Sequence, residues 1–168
     1  MKIVIAIFIV IAIILCSVHF HLYCKRRKFI FSFEDTMGKA DLPIVSFTQN
    51  DKCFKFLIDS GASISVLNSP SLANIECIEL GEKQKIYGID GNNIDVSLVG
   101  VKLYSQNHKF VEVFQVCEVP GLDNIRRDDG VEVVGILGNS FLKRYSFILD
   151  FEKLTAYSNG KENKTENS

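Results

Sequence analysis

Residues 54–58 read FKFLI and run straight into Asp59-Ser60-Gly61-Ala62, after which Ser63-Ile64-Ser65-Val66-Leu67 turns apolar again. A carboxylate set between two apolar β runs is costly unless hydrogen bonds or a partner compensate it. Asp, Ser and Gly are also ordinary turn residues. A surface hairpin turn, however, joins strands whose polar faces alternate, and these flanks are apolar enough to put the turn inside the domain. An acid in such a place is a candidate for proton transfer.

Two further stretches bear on it. Val133-Val134-Gly135-Ile136-Leu137-Gly138 reads as a buried strand broken by glycines and is followed by Asn139-Ser140-Phe141-Leu142. Glycine inside such a strand marks close approach of another backbone. Midway between them, Tyr87-Gly88-Ile89-Asp90-Gly91-Asn92 carries Asp-Gly and Gly-Asn, which signal a hairpin tip.

In that order, over residues 42–157, the three features resemble a retroviral-type (retropepsin-like) aspartic protease. The Asp-Ser-Gly triplet alone is common; the ordered set in a domain of this length is more specific. The resemblance implies a closed β-barrel with a flap hairpin and one short C-terminal helix. It makes Asp59 the catalytic acid, with Ser60, Gly61 and Ala62 supporting the active-site loop. Ser60 would link two such turns, and the Gly61 N–H would lie close to the carboxylates. Tyr87, Gly88, Ile89, Asp90 and Gly91 would form the flap over the substrate, and Gly135, Ile136, Leu137 and Gly138 the strand beneath the active site. Asn139 stands where many retroviral members have arginine, which puts the polar support of the following helix in doubt. Residues 120–130, with Arg126-Arg127-Asp128-Asp129, exceed what a minimal retroviral enzyme needs and read as a surface excursion.

Hydrolysis of this kind uses a water between two carboxylates, one ionised and one protonated. Their mutual repulsion splits the two proton affinities so that a single proton is shared. The chain has one Asp-Ser-Gly and is too short for a second lobe, so the other acid is expected from a second copy across a two-fold axis. In the resembling enzymes chain ends interleave at that axis, and residues 145–157 are the candidate here.

The elements that must position these residues are short. Apolar runs at 44–48, 53–58, 63–67, 75–80, 84–87, 94–103, 110–119, 131–137, 145–151 and 154–157 alternate with turn residues, and 139–144 is the one helical stretch. That pattern predicts an all-β class. Residues 42–157 form the expected domain, 25–41 a basic stop and tether, and 158–168 a disordered tail.

Residues 3–24 contain no Asp, Glu, Lys or Arg, and Lys25-Arg26-Arg27-Lys28 follows at once. Such a run matches the length of a single transmembrane helix. A cleaved signal peptide is the competing reading, against which stand its length, the scarcity of small residues at its end and the basic block. The flanking charge favours a cytoplasmic domain, as do Cys53, Cys77 and Cys117, which cannot all pair.

The whole chain of 168 residues has nineteen basic and twenty acidic side chains, net −1. Five of the basic ones are Lys2 and residues 25–28, so the remainder is net −6. No nucleic-acid partner is expected from that balance. The three histidines, His19, His21 and His108, make no metal cluster, and GxSxG and GxxxxGK are absent, so no cofactor is expected. Asp150, between Leu149 and Phe151, reads as a paired or turn-facing acid. Two functions remain: a membrane-anchored endopeptidase acting as a homodimer on extended polypeptide, or a module of the same fold that binds without turnover. The intact Asp59-Ser60-Gly61 favours the first.

Overall fold

The computed structural model describes residues 11–17, 29–87, 93–106 and 108–158. β2 (Ile44–Gln49) and β3 (Lys52–Ile58) form a hairpin in unbroken register from Ile44↔Leu57 to Gln49↔Lys52. Asn50 and Asp51 turn it at positive φ (49° and 61°), the left-handed conformation that matches a two-residue turn to strand twist. β3 then pairs in parallel with β8 (Gly135–Leu137), which pairs antiparallel with β4 (Ser65–Asn68). β4 lies parallel to β7 (His108–Cys117), and β7 is antiparallel to β6 (Asn93–Ser105).

The pairing Thr48↔Tyr104 joins β2 to β6 and closes these six strands into a barrel. β5 (Cys77–Tyr87) is added outside the ring, along β6. The two strands expected at 75–80 and 84–87 are thus one, shifted in register between Glu79 and Lys83, with Gly81 at φ 70° absorbing the irregularity. The interior is aromatic: Phe47, Phe56, Phe110, Phe114 and Phe141 are fully buried. The rings of Phe47 and Phe110 meet edge to face at 5.3 Å, as those of Phe47 and Phe141 do at 5.9 Å.

Residues 29–41, expected to be tether, belong to the domain instead. β1 (Phe29–Ser32) pairs with β10 (Thr155–Ser158), and β10 with β9 (Phe147–Asp150), in a separate three-stranded sheet. Phe29, Phe31 and Phe33 are buried in the main core, and a helix, Glu34–Ala40, leads from them to β2. Thr36 in that helix donates its hydroxyl to the Phe33 carbonyl at 3.0 Å and accepts from the Ile44 N–H at 3.3 Å. The partner that buries the alternating Phe residues lies some 125 residues away in sequence, at 155–158, so local pattern does not reveal it. Ser158, assigned to the tail, is likewise buried in β10; residues 159–168 lie outside the described residues.

Residues 120–130 are also corrected. Pro120–Asp129 is a helix, entered at a proline and closed by Gly130 at φ 68°. Leu122 packs it into a second small core with Ile44, Val131 and Val133. The domain therefore has three α-helices among its described residues rather than the one expected, Asn139–Arg144 being the third.

Of the apolar run at 3–24, only residues 11–17 are described, and they are helical. Among the described residues no helix is long and apolar enough to cross a membrane; the remainder of the expected span, and the basic block at 25–28, lie outside them.

Candidate active site

Asp59 follows the last residue of β3. Its N–H donates to the Leu137 carbonyl of β8 at 3.1 Å, so the acid starts its turn while still tied to the neighbouring strand. The Ala62 N–H closes the turn on the Asp59 carbonyl at 3.2 Å. Gly61 donates its N–H to Asp59 Oδ1 at 2.7 Å, and a Cβ on Gly61 would lie 3.1 Å from that oxygen. The expected closeness of the Gly61 N–H to the carboxylate is present within one chain.

The turn is exposed rather than enclosed. Asp59 is half-buried, while Ser60, Gly61, Ser63 and Ile64 are open to solvent in the single chain. No ion pair among the described residues involves Asp59. The acid is thus fixed in place by its own loop, with no cation among the described residues paired to it.

Gly135 and Gly138 hold the floor. A Cβ on Gly135 would stand 2.4 Å from the Val66 carbonyl oxygen, and one on Gly138 would stand 2.6 Å from that of Ile64. Leu137 is fully buried and Ile136 half-buried between β3 and β4. Beyond Gly138 the helix Asn139–Arg144 begins, and its first residues grip the turn. Asn139 donates its N–H to the Ala62 carbonyl at 2.8 Å, and Ser140 to that of Ser63 at 3.1 Å. The Asn139 side chain donates Nδ2–H to the Ser60 carbonyl at 2.7 Å. The polar support left in doubt by the absence of arginine at 139 is supplied by asparagine, which bonds the loop itself.

The flap residues are only partly described. β5 and β6 pair as far as Tyr87↔Asn93, bracketing the expected tip. Gly88, Ile89, Asp90 and Gly91 lie outside the described residues.

Sequence reasoning missed a buried polar cluster beneath the turn. Glu112 of β7 is 1% exposed. Its Oε1 accepts from the hydroxyls of Ser65 (2.9 Å) and Ser140 (2.7 Å), and Arg144 Nη1 stands 3.1 Å from Oε2. That last contact is ionic without the alignment of a hydrogen bond; the guanidinium instead donates to the Val111 carbonyl at 2.8 Å. The signal was available, because Phe110, Glu112 and Phe114 alternate and so share one face of a strand.

Burial pushes the Glu112 carboxyl above its ordinary range, opposed by the Ser140 hydroxyl, the Arg144 charge and the Ser65 hydroxyl. A carboxyl whose affinity for its proton rises on folding stabilises the fold most when protonated, and that contribution fades as pH rises through the folded value. Replacing it by glutamine removes the dependence. The thermal midpoint of Glu112→Gln is therefore expected to gain on that of the parent as pH rises above the ordinary glutamate value of about 4, measured by circular dichroism melts at each pH.

Other candidates have structural places. Asp150 accepts from the Lys153 N–H and Nζ, each at 3.0 Å, which holds its carboxyl below the usual range. His108 packs edge-on against Phe29 at 5.1 Å. Cys53 is exposed, because its side chain alternates away from the face of Phe54 and Phe56. Cys77 and Cys117 are half-buried, and burial raises the pKa of both thiols, with Glu79 adding to the effect at Cys77.

No family model and no curated protein matches the chain. Among solved structures it is similar to EIAV protease complexed with the inhibitor HBY-793, at 23% identity over 61% of this chain and 86% of that one, with a TM-score of 0.43.

Proposed function

We propose that the chain is a membrane-anchored, retropepsin-like aspartic endopeptidase that works as a homodimer. The observation that carries this reading is Asp59: an acid with no ion pair among the described residues, pinned by Gly61 and the floor strand, on a turn whose outer side is exposed. Such a turn is ready to meet its own copy across a two-fold axis. Two Asp59 carboxylates brought together would share one proton. The ionised one takes a proton from water as the water oxygen bonds to the peptide carbonyl carbon and the neighbour protonates the carbonyl oxygen. The C–N bond then breaks as the nitrogen takes the proton removed from water and the carbonyl proton returns to the pair. No metal or cofactor takes part.

The substrate is an extended polypeptide, lying as an added strand beneath the flaps expected at residues 87–91. Apolar side chains suit it, given Ile89 in the expected flap and the aliphatic strands of the motif. Residues 3–24 act as a single membrane-spanning anchor, and the basic residues 25–28 keep the domain on the cytoplasmic side. Confining two copies to one membrane raises their effective concentration and favours a weak dimer.

The test uses the full chain in detergent and in bilayers, with a library of extended peptides between pH 4 and pH 7. Cleavage that falls on dilution in detergent and is retained in bilayers is the expected result. A chain that dimerises and cleaves nothing at any pH in that range is a binding module instead.

A further inference from the structure

We infer that Glu112 is a positioning residue for the Asp59 turn, acting through the hydroxyls of Ser65 and Ser140; this deepens the protease reading and rests on it for its catalytic consequence. The carboxylate is sunk in the barrel between Phe110 and Phe114, where an aliphatic side chain would pack without any cost of burying charge. What the acid supplies instead is direction. Its Oε1 accepts whether or not Oε2 carries a proton, so the Ser65 and Ser140 hydroxyl protons are both committed to that oxygen.

That commitment fixes what the two serines offer elsewhere. Ser65 Oγ has its lone pairs free for the Gly138 N–H, which donates to it at 3.1 Å. Ser140 Oγ in turn accepts the Ser65 N–H at 3.3 Å. The Leu137–Gly138 peptide is thereby held at both ends: its N–H by Ser65, and its carbonyl by the Asp59 N–H at 3.1 Å. A line of contacts thus runs from Glu112 through Ser65 and one peptide unit to the backbone of the candidate catalytic acid. A second passes through Ser140, whose N–H bonds the Ser63 carbonyl on the far side of the same turn.

Arg144 completes the arrangement. It holds Oε2, and with Tyr145 it also satisfies the Val111 backbone, donating to its carbonyl while the Tyr145 hydroxyl accepts the Val111 N–H at 2.7 Å. The helix Asn139–Arg144 therefore touches the turn at its start and the Glu112 strand at its end. Loss of the acid leaves both hydroxyls free to rotate, and a rotated Ser65 no longer accepts from Gly138.

The test compares Glu112→Leu, Glu112→Gln and Ser140→Ala in the full chain in detergent, by amide hydrogen exchange at Gly61, Gly138 and Asn139 and by cleavage kinetics. With leucine, exchange at Gly61 and Gly138 is expected to quicken about tenfold, and kcat to fall about tenfold or more with KM changed less than about twofold. Glutamine, which keeps an oxygen for the two hydroxyls, should restore most of both. Ser140→Ala should show a smaller change of the same kind, and it carries the test if the leucine variant does not fold. Amide exchange at the turn and kcat that match the parent, with only the thermal midpoint lowered, would make Glu112 merely structural and overturn the inference. A parent chain that cleaves nothing overturns the protease reading, while the exchange measurements still decide the role of Glu112.

Discussion

Asp59→Asn is expected to lower peptide-bond hydrolysis by about 10³-fold or more while moving the thermal midpoint by only about 2–4 °C. The asparagine oxygen can still accept the Gly61 N–H, so the turn keeps its closure. What is lost is the ability to take a proton from water, which an amide does not do near neutral pH. Because the acid is only half-buried and has no ion pair among the described residues, its removal leaves no stranded charge behind. The variant should also dimerise at least as well as the parent, since two amides do not repel as two carboxylates do. Mixing supplies a sharper test of the shared site. If each dimer needs both acids, equal amounts of parent and variant, exchanged to equilibrium, leave about a quarter of the dimers active. A residual activity near one half would mean that each subunit works alone.

Much of the site was legible because its chemistry is local. Asp59, Ser60 and Gly61 are contiguous, and the Gly61 N–H that meets the carboxylate is two residues away, so the turn could be read as a turn bearing an acid. The glycines at 135 and 138 could be read as points of close approach, which the Val66 and Ile64 carbonyls occupy. The cost of burying Asp59 misled in one respect: apolar flanks suggested enclosure, yet the chain from Ser60 to Ile64 is largely exposed, and burial is confined to one face of β3 and to β4. β3 and β4 spend their apolar residues on the barrel interior, and the chain between them emerges from it. What escaped notice depended on distant partners. Phe29, Phe31 and Phe33 look like part of a mixed linker until β10 is beside them. Glu112 looks like a solvated charge until the strand's period is counted against Phe110 and Phe114. Pro120 and Gly130 bounded a helix by ordinary rules, but Arg126-Arg127-Asp128-Asp129 drew attention to charge and away from Leu122 and Ile125, which face the small core.

Gly135→Ala is expected to cost about 3 kcal/mol or more and to lower the thermal midpoint by about 10 °C or more. The added methyl carbon would stand 2.4 Å from the Val66 carbonyl oxygen, 3.3 Å from Leu67 Cα and 3.3 Å from the Phe56 ring. Two of these are backbone atoms of β4, which cannot swing aside as a side chain can. β8 is only three residues long and is paired on both edges, Gly135 lying opposite Phe56 on β3 and Leu67 on β4. Any shift away from β4 strains the bonds on either side of it, including those from the Asn68 N–H to the Val134 carbonyl and from the Val134 N–H to the Lys55 carbonyl, both 2.9 Å. The displacement would travel along β8 to Leu137 and so to the Asp59 N–H. A control comes from Gly38, in the helix Glu34–Ala40, where an added methyl would meet nothing within 4 Å. Gly38→Ala should stabilise by about 0.5–1 kcal/mol through helix propensity alone. Circular dichroism melts of the two variants in the full chain separate steric crowding from the loss of backbone freedom that both share. A Gly135→Ala midpoint as high as that of Gly38→Ala would mean that β8 does not lie against the Val66 carbonyl, and the floor beneath Asp59 would have to be built from other residues.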